Sequence, residues 1–244
     1  MLLKAANVSK AFGGFFAVSD ASLEVGEGEI VGLIGPNGAG KSTFFNCLAG
    51  DFKPTSGRVF FDGHDVTEAA AETHARLGIG RTFQLPAIFE ELTVLENVMV
   101  GAFLRHPRED DARAAARRVL ALTGLERISD QPARSLGTPG RKRLGIARVL
   151  ATEPRLILLD EALAGLTPTE IHQAIELVRA IHRTGITLVI VEHIMEVILT
   201  LAERIVVFNQ GRVIAHGRPQ EIVNDPAVIA AYLGRSHARR ADKP

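Results

Sequence analysis

Tryptophan is absent, tyrosine occurs once and aromatic residues make up only 5% of the 244. A chain so poor in aromatics has no broad platform on which to stack the bases of a nucleic-acid strand. Charge of one sign is not in excess either: 28 Lys and Arg balance 28 Asp and Glu. A protein that grips nucleic acid by neutralising phosphates carries a basic surplus, so no nucleic-acid partner is expected. The one cysteine, Cys47, cannot close an internal disulfide, which excludes a disulfide scaffold or multi-cysteine zinc module and fits a reducing compartment. The eight histidines are scattered, with no H-x-x-x-H and no cysteine nearby, so no metal centre of that kind is expected. No apolar run approaches the roughly 18–20 residues of a membrane-spanning helix. The opening MLLKAANVSK lacks the apolar core of a secretory signal. The expectation is a soluble chain whose membrane role, if any, comes through a partner. No internal repeat is visible.

Apolar residues, at 46% against 23% charged, are ordinary for a globular protein with a sizeable core. Short apolar pieces punctuated by Gly13-Gly14 and by Gly26-Glu27-Gly28 predict β-strands in the first thirty residues. Glu29–Ile34 is almost wholly apolar, as a buried parallel strand is, and a helix is predicted from Lys41 to about Leu48. A further strand is predicted at Arg58–Asp62. The texture turns helical between Leu85 and Leu150, with helices at Ala112–Leu122 and Gly140–Thr152. Strands return at Leu156–Leu159 and Ile186–Val191 around a helix at Thr169–Arg183, which argues for a parallel βαβ unit. Ile205–Phe208 and Arg212–Ala215 predict a hairpin, and Asp225-Pro226 opens a last helix to Gly234.

Between a predicted strand and a predicted helix, Gly35-Pro36-Asn37-Gly38-Ala39-Gly40-Lys41-Ser42-Thr43 satisfies G-x-x-x-x-G-K-[ST]. Such glycines allow a tight bend that turns successive N–H groups toward phosphate oxygens, and the helix N-terminus adds positive potential. Lys41 is placed to reach β- and γ-phosphates and Ser42 to ligate Mg²⁺. Leu156-Ile157-Leu158-Leu159-Asp160-Glu161 is an apolar strand ending in two carboxylates. Ligands of nucleotide-binding sheets sit at the carboxyl ends of strands. Asp160 is the candidate for the Mg²⁺ shell, and Glu161 the candidate to take a proton from the water attacking the γ-phosphate.

With these motifs in place, the sequence from Lys4 to Gly234 resembles the ATP-binding subunits of ABC transporters. Phe12 matches that family's adenine-stacking aromatic; read alone, it is as well a core aromatic. Gln84, in Arg81-Thr82-Phe83-Gln84, matches the glutamine that meets Mg²⁺ and the attacking water beside the membrane-subunit contact. Ala164–Glu170 is similar to the family's D-loop, and His193 matches the histidine that senses the γ-phosphate. A finer resemblance, to the ATPases of branched-chain amino acid importers, rests on Gly80–Gln84, Leu92–Val98, Gly217–Pro219 and Asp225-Pro226 through Ala231-Tyr232-Leu233-Gly234. The stretch from Gly101 to Arg113 is shorter than is usual there.

The chain departs from the pattern at the family signature, Leu-Ser-Gly-Gly-Gln, which contacts ATP held by the other subunit. Here that register reads Leu136-Gly137-Thr138-Pro139-Gly140. Pro139 has no N–H to donate, but proline suits the first helical position with Thr138 as N-cap. Thr138, Gly137 and Gly140 then remain candidates for the partner's phosphate. Arg141, Lys142 and Arg143 follow, either aimed at an anion or forming a solvated basic face. Ile194 stands where many relatives carry Asp.

The resemblance implies an α/β P-loop ABC ATPase fold: a mixed sheet core, an N-terminal antiparallel part and an inserted helical subdomain. The expected organisation is one domain over 1–234, with a nucleotide-binding core at 1–84 and 151–216, a helical subdomain at 85–150, a helical segment at 217–234 and a disordered tail at 235–244. It implies ATP hydrolysis with Mg²⁺, a second ATPase subunit identical or different, transmembrane permease subunits and, indirectly, a solute-binding protein. The implied location is peripheral, on the cytoplasmic face of the inner membrane. The alternatives are a regulatory or low-activity subunit with a degenerate signature, or the ATPase of an export or lipid-transport system. A soluble relative acting on DNA or ribosomes is disfavoured by the single phosphate loop and the absence of a heptad run.

Overall fold

The computed structural model describes residues 1–84 and 87–233; the tail expected at 235–244 and Leu85 lie outside the described residues. In chain order the elements are β1 (Leu3–Phe12), β2 (Phe15–Val25), β3 (Ile30–Ile34), α1 (Lys41–Ala49), β4 (Ser56–Phe61) and β5 (His64–Asp65). They continue with α2 (Ala71–Leu77), β6 (Ile79–Arg81), α3 (Val94–Ala102), α4 (Glu109–Thr123), α5 (Thr138–Leu150), β7 (Leu156–Asp160), α6 (Pro168–His182) and β8 (Thr187–Val191). The last are α7 (Met195–Leu201), β9 (Arg204–Asn209), β10 (Arg212–Gly217), α8 (Pro219–Ile222) and α9 (Pro226–Leu233). Two compact units result: one joins residues 1–71 to the chain from Val189 onward, and the other is Glu72–Leu188. The second division falls inside β8.

In the first unit β2, β1, β4 and β5 form a four-stranded sheet in which every pairing is antiparallel. Ala21, Leu23 and Val25 of β2 are buried while Ser22 and Glu24 between them are exposed, the period of two that turns one face to a core. β3 is buried at every position and pairs in parallel with β9, from Val31↔Arg204 to Ile34↔Val207. β9 returns into β10 as an antiparallel hairpin across Gln210-Gly211, so this sheet is mixed. α1 lays Phe44 against Phe208 of β9 with ring centroids 5.1 Å apart. Gly32 of β3 lets α7 approach closely, because a Cβ there would stand 3.1 Å from Ile198 and 3.2 Å from Ala202.

In the second unit β6 and β7 pair in parallel, Ile79↔Leu156 to Arg81↔Leu158. Their short, apolar strands are what a sheet covered on both faces demands. α3, α4 and α5 enclose a separate core that includes Val94, Val98, Ala116, Leu120, Leu144 and Ala147. The small residues let helices pack tightly: a Cβ on Gly101 of α3 would run into the Arg148 carbonyl of α5. α3 and α6 each start with a capping box, Thr93 with Glu96 and Thr167 with Glu170.

Two helix starts differ from the sequence reading. α4 begins at Glu109 rather than Ala112, because Glu109, Asp110 and Asp111 occupy its first turn, where acids complement the helix dipole. α5 begins at Thr138 rather than Gly140, with Pro139 inside its first turn, where a missing N–H costs no helical bond.

Candidate nucleotide site

The first unit carries the phosphate loop. Ile34 ends β3, and the chain turns through Gly35–Gly40 into α1, whose N-cap is Gly40. Gly35 has φ 149° and Gly40 φ 99°. A side chain at either would strike backbone, the Phe208 carbonyl for Gly35 and the Ala17 carbonyl for Gly40. Both positions therefore require glycine. The Gly211 N–H donates to the Ala39 carbonyl at 2.9 Å, fastening the loop to the β9–β10 turn. No side chain caps α1, the arrangement found at helix starts that bind anions. Lys41 is buried and donates through Nζ to the carbonyls of Gly35 at 2.6 Å and Pro36 at 3.0 Å. Ser42 is exposed beside it, while Asn37 and Gly38 are exposed at the loop's tip and Thr43 is half-buried.

The same unit holds three further residues singled out from the sequence. Phe12 is 45% exposed, which rules out the core reading; its ring meets Phe52 edge-on at 5.5 Å, with the Lys10 ammonium 5.1 Å from its centroid. His193 is exposed just beyond β8. Cys47 is buried in α1, and burial pushes its thiol up to about 11, so it stays protonated and serves as a small apolar filler.

The second unit carries the acidic pair. Asp160 is the last residue of β7, buried to 7% exposure, and Glu161 leaves the strand with φ 46°. A segment starting in the neighbouring strand meets both. Arg81, the last residue of β6, donates to Asp160 Oδ2 at 3.0 Å. The Thr82 hydroxyl accepts the Asp160 N–H at 3.1 Å, and the Thr82 N–H donates to the Leu158 carbonyl at 2.9 Å. Gln84 Nε2 donates to Glu161 Oε2 at 2.6 Å. Gln84 is thus exposed, as a surface polar residue is, yet engaged with the carboxylate that the sequence marked as proton acceptor. Arg81 is the participant that the motifs did not flag. Its signal was present, a cation on a short strand otherwise apolar, where a buried charge requires a partner.

The signature register opens α5. Gly137, not Thr138, is the N-cap, and no side chain caps the helix. With the Thr138 hydroxyl inside the first turn, the expected Thr138 cap is not formed. The Arg141 N–H is taken by the Gly137 carbonyl at 3.0 Å, and Pro139 offers none, so the donors at this turn are the N–H groups of Thr138 and Gly140. Two of the three bases that follow, Arg141 and Lys142, are engaged within the chain. Arg141 pairs with Glu90 at 2.7 Å and donates to the Leu136 carbonyl at 2.9 Å. Lys142 donates to the carbonyls of Ala162 at 3.1 Å and Glu161 at 3.3 Å. Arg141 and Lys142, two of the cations that oppose the α5 dipole, thus find acceptors within the chain.

Among the described residues no cluster of three or more His, Cys, Asp or Glu side chains stands ready for a metal. Each unit by itself offers a donor of the kind that suits Mg²⁺ held largely by phosphate and water: the Ser42 hydroxyl at the start of α1 in the first, and the Asp160 carboxylate at the end of β7 in the second. No helix among the described residues is long and apolar enough to cross a membrane.

Comparison with known proteins agrees with this geometry. The ABC transporter family model matches residues 18–164, and a model for the branched-chain amino acid ATP-binding cassette transporter matches residues 212–238. The chain is 40% identical to the high-affinity branched-chain amino acid transport ATP-binding protein LivG of Salmonella typhimurium, over 96% of this chain and 98% of that one. It is 36% identical to BraF of Pseudomonas aeruginosa, a protein of the same description, over 96% and 98%. A nucleotide-free ATP-binding cassette from an ABC transporter superposes with a TM-score of 0.88 at 33% identity, covering 96% of this chain and 99% of that one. A dimeric cassette in a post-hydrolysis state with ADP and phosphate superposes at 0.80 and 28% identity, covering 89% and 99%. A glycine-rich turn from a buried strand into a helix, a strand ending in paired acids and these likenesses lead to one conclusion: the chain belongs to the ABC transporter family, as an ATP-binding, ATP-hydrolysing subunit.

Proposed function

We propose that this chain is the energy-coupling ATPase of an importer for branched-chain or other hydrophobic amino acids. In this reading it works as one of two cassettes on the cytoplasmic face of the membrane, beside permease subunits that receive solute from a binding protein. The relatives' descriptions support the solute class, and the dimeric cassette supports the pairing. The observation that carries the catalytic reading is the 2.6 Å hydrogen bond from Gln84 to Glu161, next to an Asp160 held at the end of β7.

The assigned roles follow from what each group offers. Residues Gly35–Thr43 hold the polyphosphate through backbone N–H groups, and Lys41 exchanges the Gly35 and Pro36 carbonyls for phosphate oxygens. Phe12 offers an exposed ring face to the base. Ser42, Asp160 and Gln84 are the residues that would hold Mg²⁺, which when bound would offset phosphate charge. Glu161 accepts the proton of the attacking water, Gln84 orients that water, and His193 donates to the γ-phosphate. Thr138, Gly137 and Gly140 present the α5 turn to the nucleotide of the other cassette. An apolar groove of about 260 Å³ in the second unit, lined by Ile79, Phe83, Val100, Ile146 and Val149 among others, supports a permease contact next to Gln84.

Substituting Glu161→Gln tests the reading. The variant should bind MgATP, fail to turn it over and accumulate as a dimer on size exclusion; a monomer with unchanged turnover would refute it. A second reading, a low-activity or regulatory subunit, is favoured by Pro139 alone, which removes one donor from the signature turn.

A further inference from the structure

The turn that follows β7 carries the proposed proton acceptor on a backbone that its own bonds hold weakly. Glu161 is a non-glycine residue at φ 46°, a left-handed conformation that persists only where neighbours over-determine it. Ala162 and Leu163, the next two residues, are buried, so their backbone carbonyls are largely shielded from water and require donors. The bonds that the turn makes within itself are long. The Ala164 N–H reaches the Glu161 carbonyl at 3.3 Å, and the Leu166 N–H reaches the Leu163 carbonyl at 3.4 Å.

The firmer contact comes from α5. Lys142 Nζ donates to the Ala162 carbonyl at 3.1 Å and to the Glu161 carbonyl at 3.3 Å. A bond from an ammonium is charge-assisted, and one cation on two consecutive carbonyls fixes the two peptide planes that follow the Glu161 Cα. Gln84 holds the carboxylate end of the same residue, and the Asp160 N–H before it is bonded to the Thr82 hydroxyl. Lys142 supplies the remaining restraint, on the C-terminal side of Glu161. It stands in the second turn of α5, the helix that the signature register opens. Lys142 and Ala162 also line the apolar groove that contains Phe83 and Ile146, so the hold on Glu161 borders that groove.

We propose that Lys142 is a positioning residue for the reaction: its ammonium fixes the backbone of Glu161 and thereby aims the carboxylate at the attacking water. This rests on the reading of Glu161 as the proton acceptor.

Steady-state ATPase assays on the full chain would compare wild type with Lys142→Met, which keeps the apolar stem and removes the donors. Lys142→Arg restores a cation with several N–H donors. Misplacing a reacting group by about 1 Å costs on the order of 100-fold, so Lys142→Met should lose about 10- to 100-fold in kcat. Its KM, and its affinity for a non-hydrolysable MgATP analogue, should stay within about twofold of wild type, because no ground-state contact to nucleotide is removed. Lys142→Arg should recover most of the loss, and Arg117→Met, at an exposed α4 position, should turn over as wild type does. Hydrogen exchange in the nucleotide-free chain reads the contact itself: the amides of 162–166 should exchange about tenfold faster in Lys142→Met while those of β7 do not change. Wild-type kcat in Lys142→Met, a loss confined to KM, no recovery in Lys142→Arg, or unchanged exchange at 162–166 would each overturn the proposal. Wild-type turnover in Glu161→Gln would instead fail the proton-acceptor reading, and the exchange comparison, which needs no turnover, would still decide the contact.

Discussion

Arg81→Met separates the positioning of Asp160 from the chemistry assigned to it. The Arg81 and Asp160 side chains are 12% and 11% exposed, with donor and acceptor 3.0 Å apart. Removing one partner of a buried pair costs about 3–5 kcal/mol, because the remaining charge loses its compensation. Here the backbone ladder from Ile79↔Leu156 to Arg81↔Leu158 and the Thr82 hydroxyl bond to the Asp160 N–H survive the change. Methionine also replaces most of the apolar stem that passes Phe83, whose ring lies 5.1 Å from the guanidinium carbon. The expected loss is therefore about 2–4 kcal/mol, or roughly 5–15 °C in melting temperature for a chain of this size. Calorimetric or circular-dichroism melts of Arg81→Met, Asp160→Asn and the double variant form a cycle. A double variant much less destabilised than the sum of the singles is the expected outcome. Additive losses, or an Arg81→Met melt within about 2 °C of wild type, would show that Asp160 is held by something else.

Restoring Gly137→Ser, Pro139→Gly and Gly140→Gln together should raise ATP turnover. One added donor to a charged acceptor is worth about 1.5–3 kcal/mol, so the ceiling is on the order of 10- to 100-fold; unchanged turnover in a steady-state assay would mean that the departure is harmless. Glu170 is held below the usual carboxylate range by the Thr167 N–H and then its hydroxyl. A depressed folded-state value contributes stability above the unfolded value of about 4.3 that fades as pH falls through the folded one. Glu170→Gln should therefore melt below wild type at neutral pH, with the gap closing in acid; a gap that does not change with pH would contradict the linkage.

Much of the fold could be read in the sequence because its signals were local. Gly35, Gly40 and Lys41 declared the loop through a pattern that only a strand–turn–helix context accommodates, and the hairpin at Gln210-Gly211 lay in plain alternation. The acid pair could be read because β7 is apolar at every position before Asp160. The partners of those acids could not. Arg81 is 79 residues from Asp160 and Gln84 is 77 from Glu161, and the parallel pairing of β6 with β7 that brings them together leaves no trace in sequence spacing. The α5 start was misplaced for a different reason. Thr138 is a good N-cap by residue type and Gly137 is acceptable, so residue type alone did not separate the two positions.

The two carboxylates are served by partners of unequal firmness, and their assigned tasks differ in the same way. Asp160 is engaged by Arg81 from within the strand ladder, with Thr82 bonding the backbone on both sides. A group so held keeps one rotamer, which suits a metal ligand whose position must not drift. Glu161 is engaged by Gln84, an exposed side chain three residues past the end of β6, on a backbone outside the ladder. A hydrogen bond from an exposed neutral amide contributes on the order of 1 kcal/mol net, little enough for a modest displacement of the segment after β6 to release it. In the proposed roles the firmly held Asp160 would keep a metal in one place, while Glu161 would have to take a proton at a particular moment; its partner Gln84 directly follows Phe83, which lines the apolar groove.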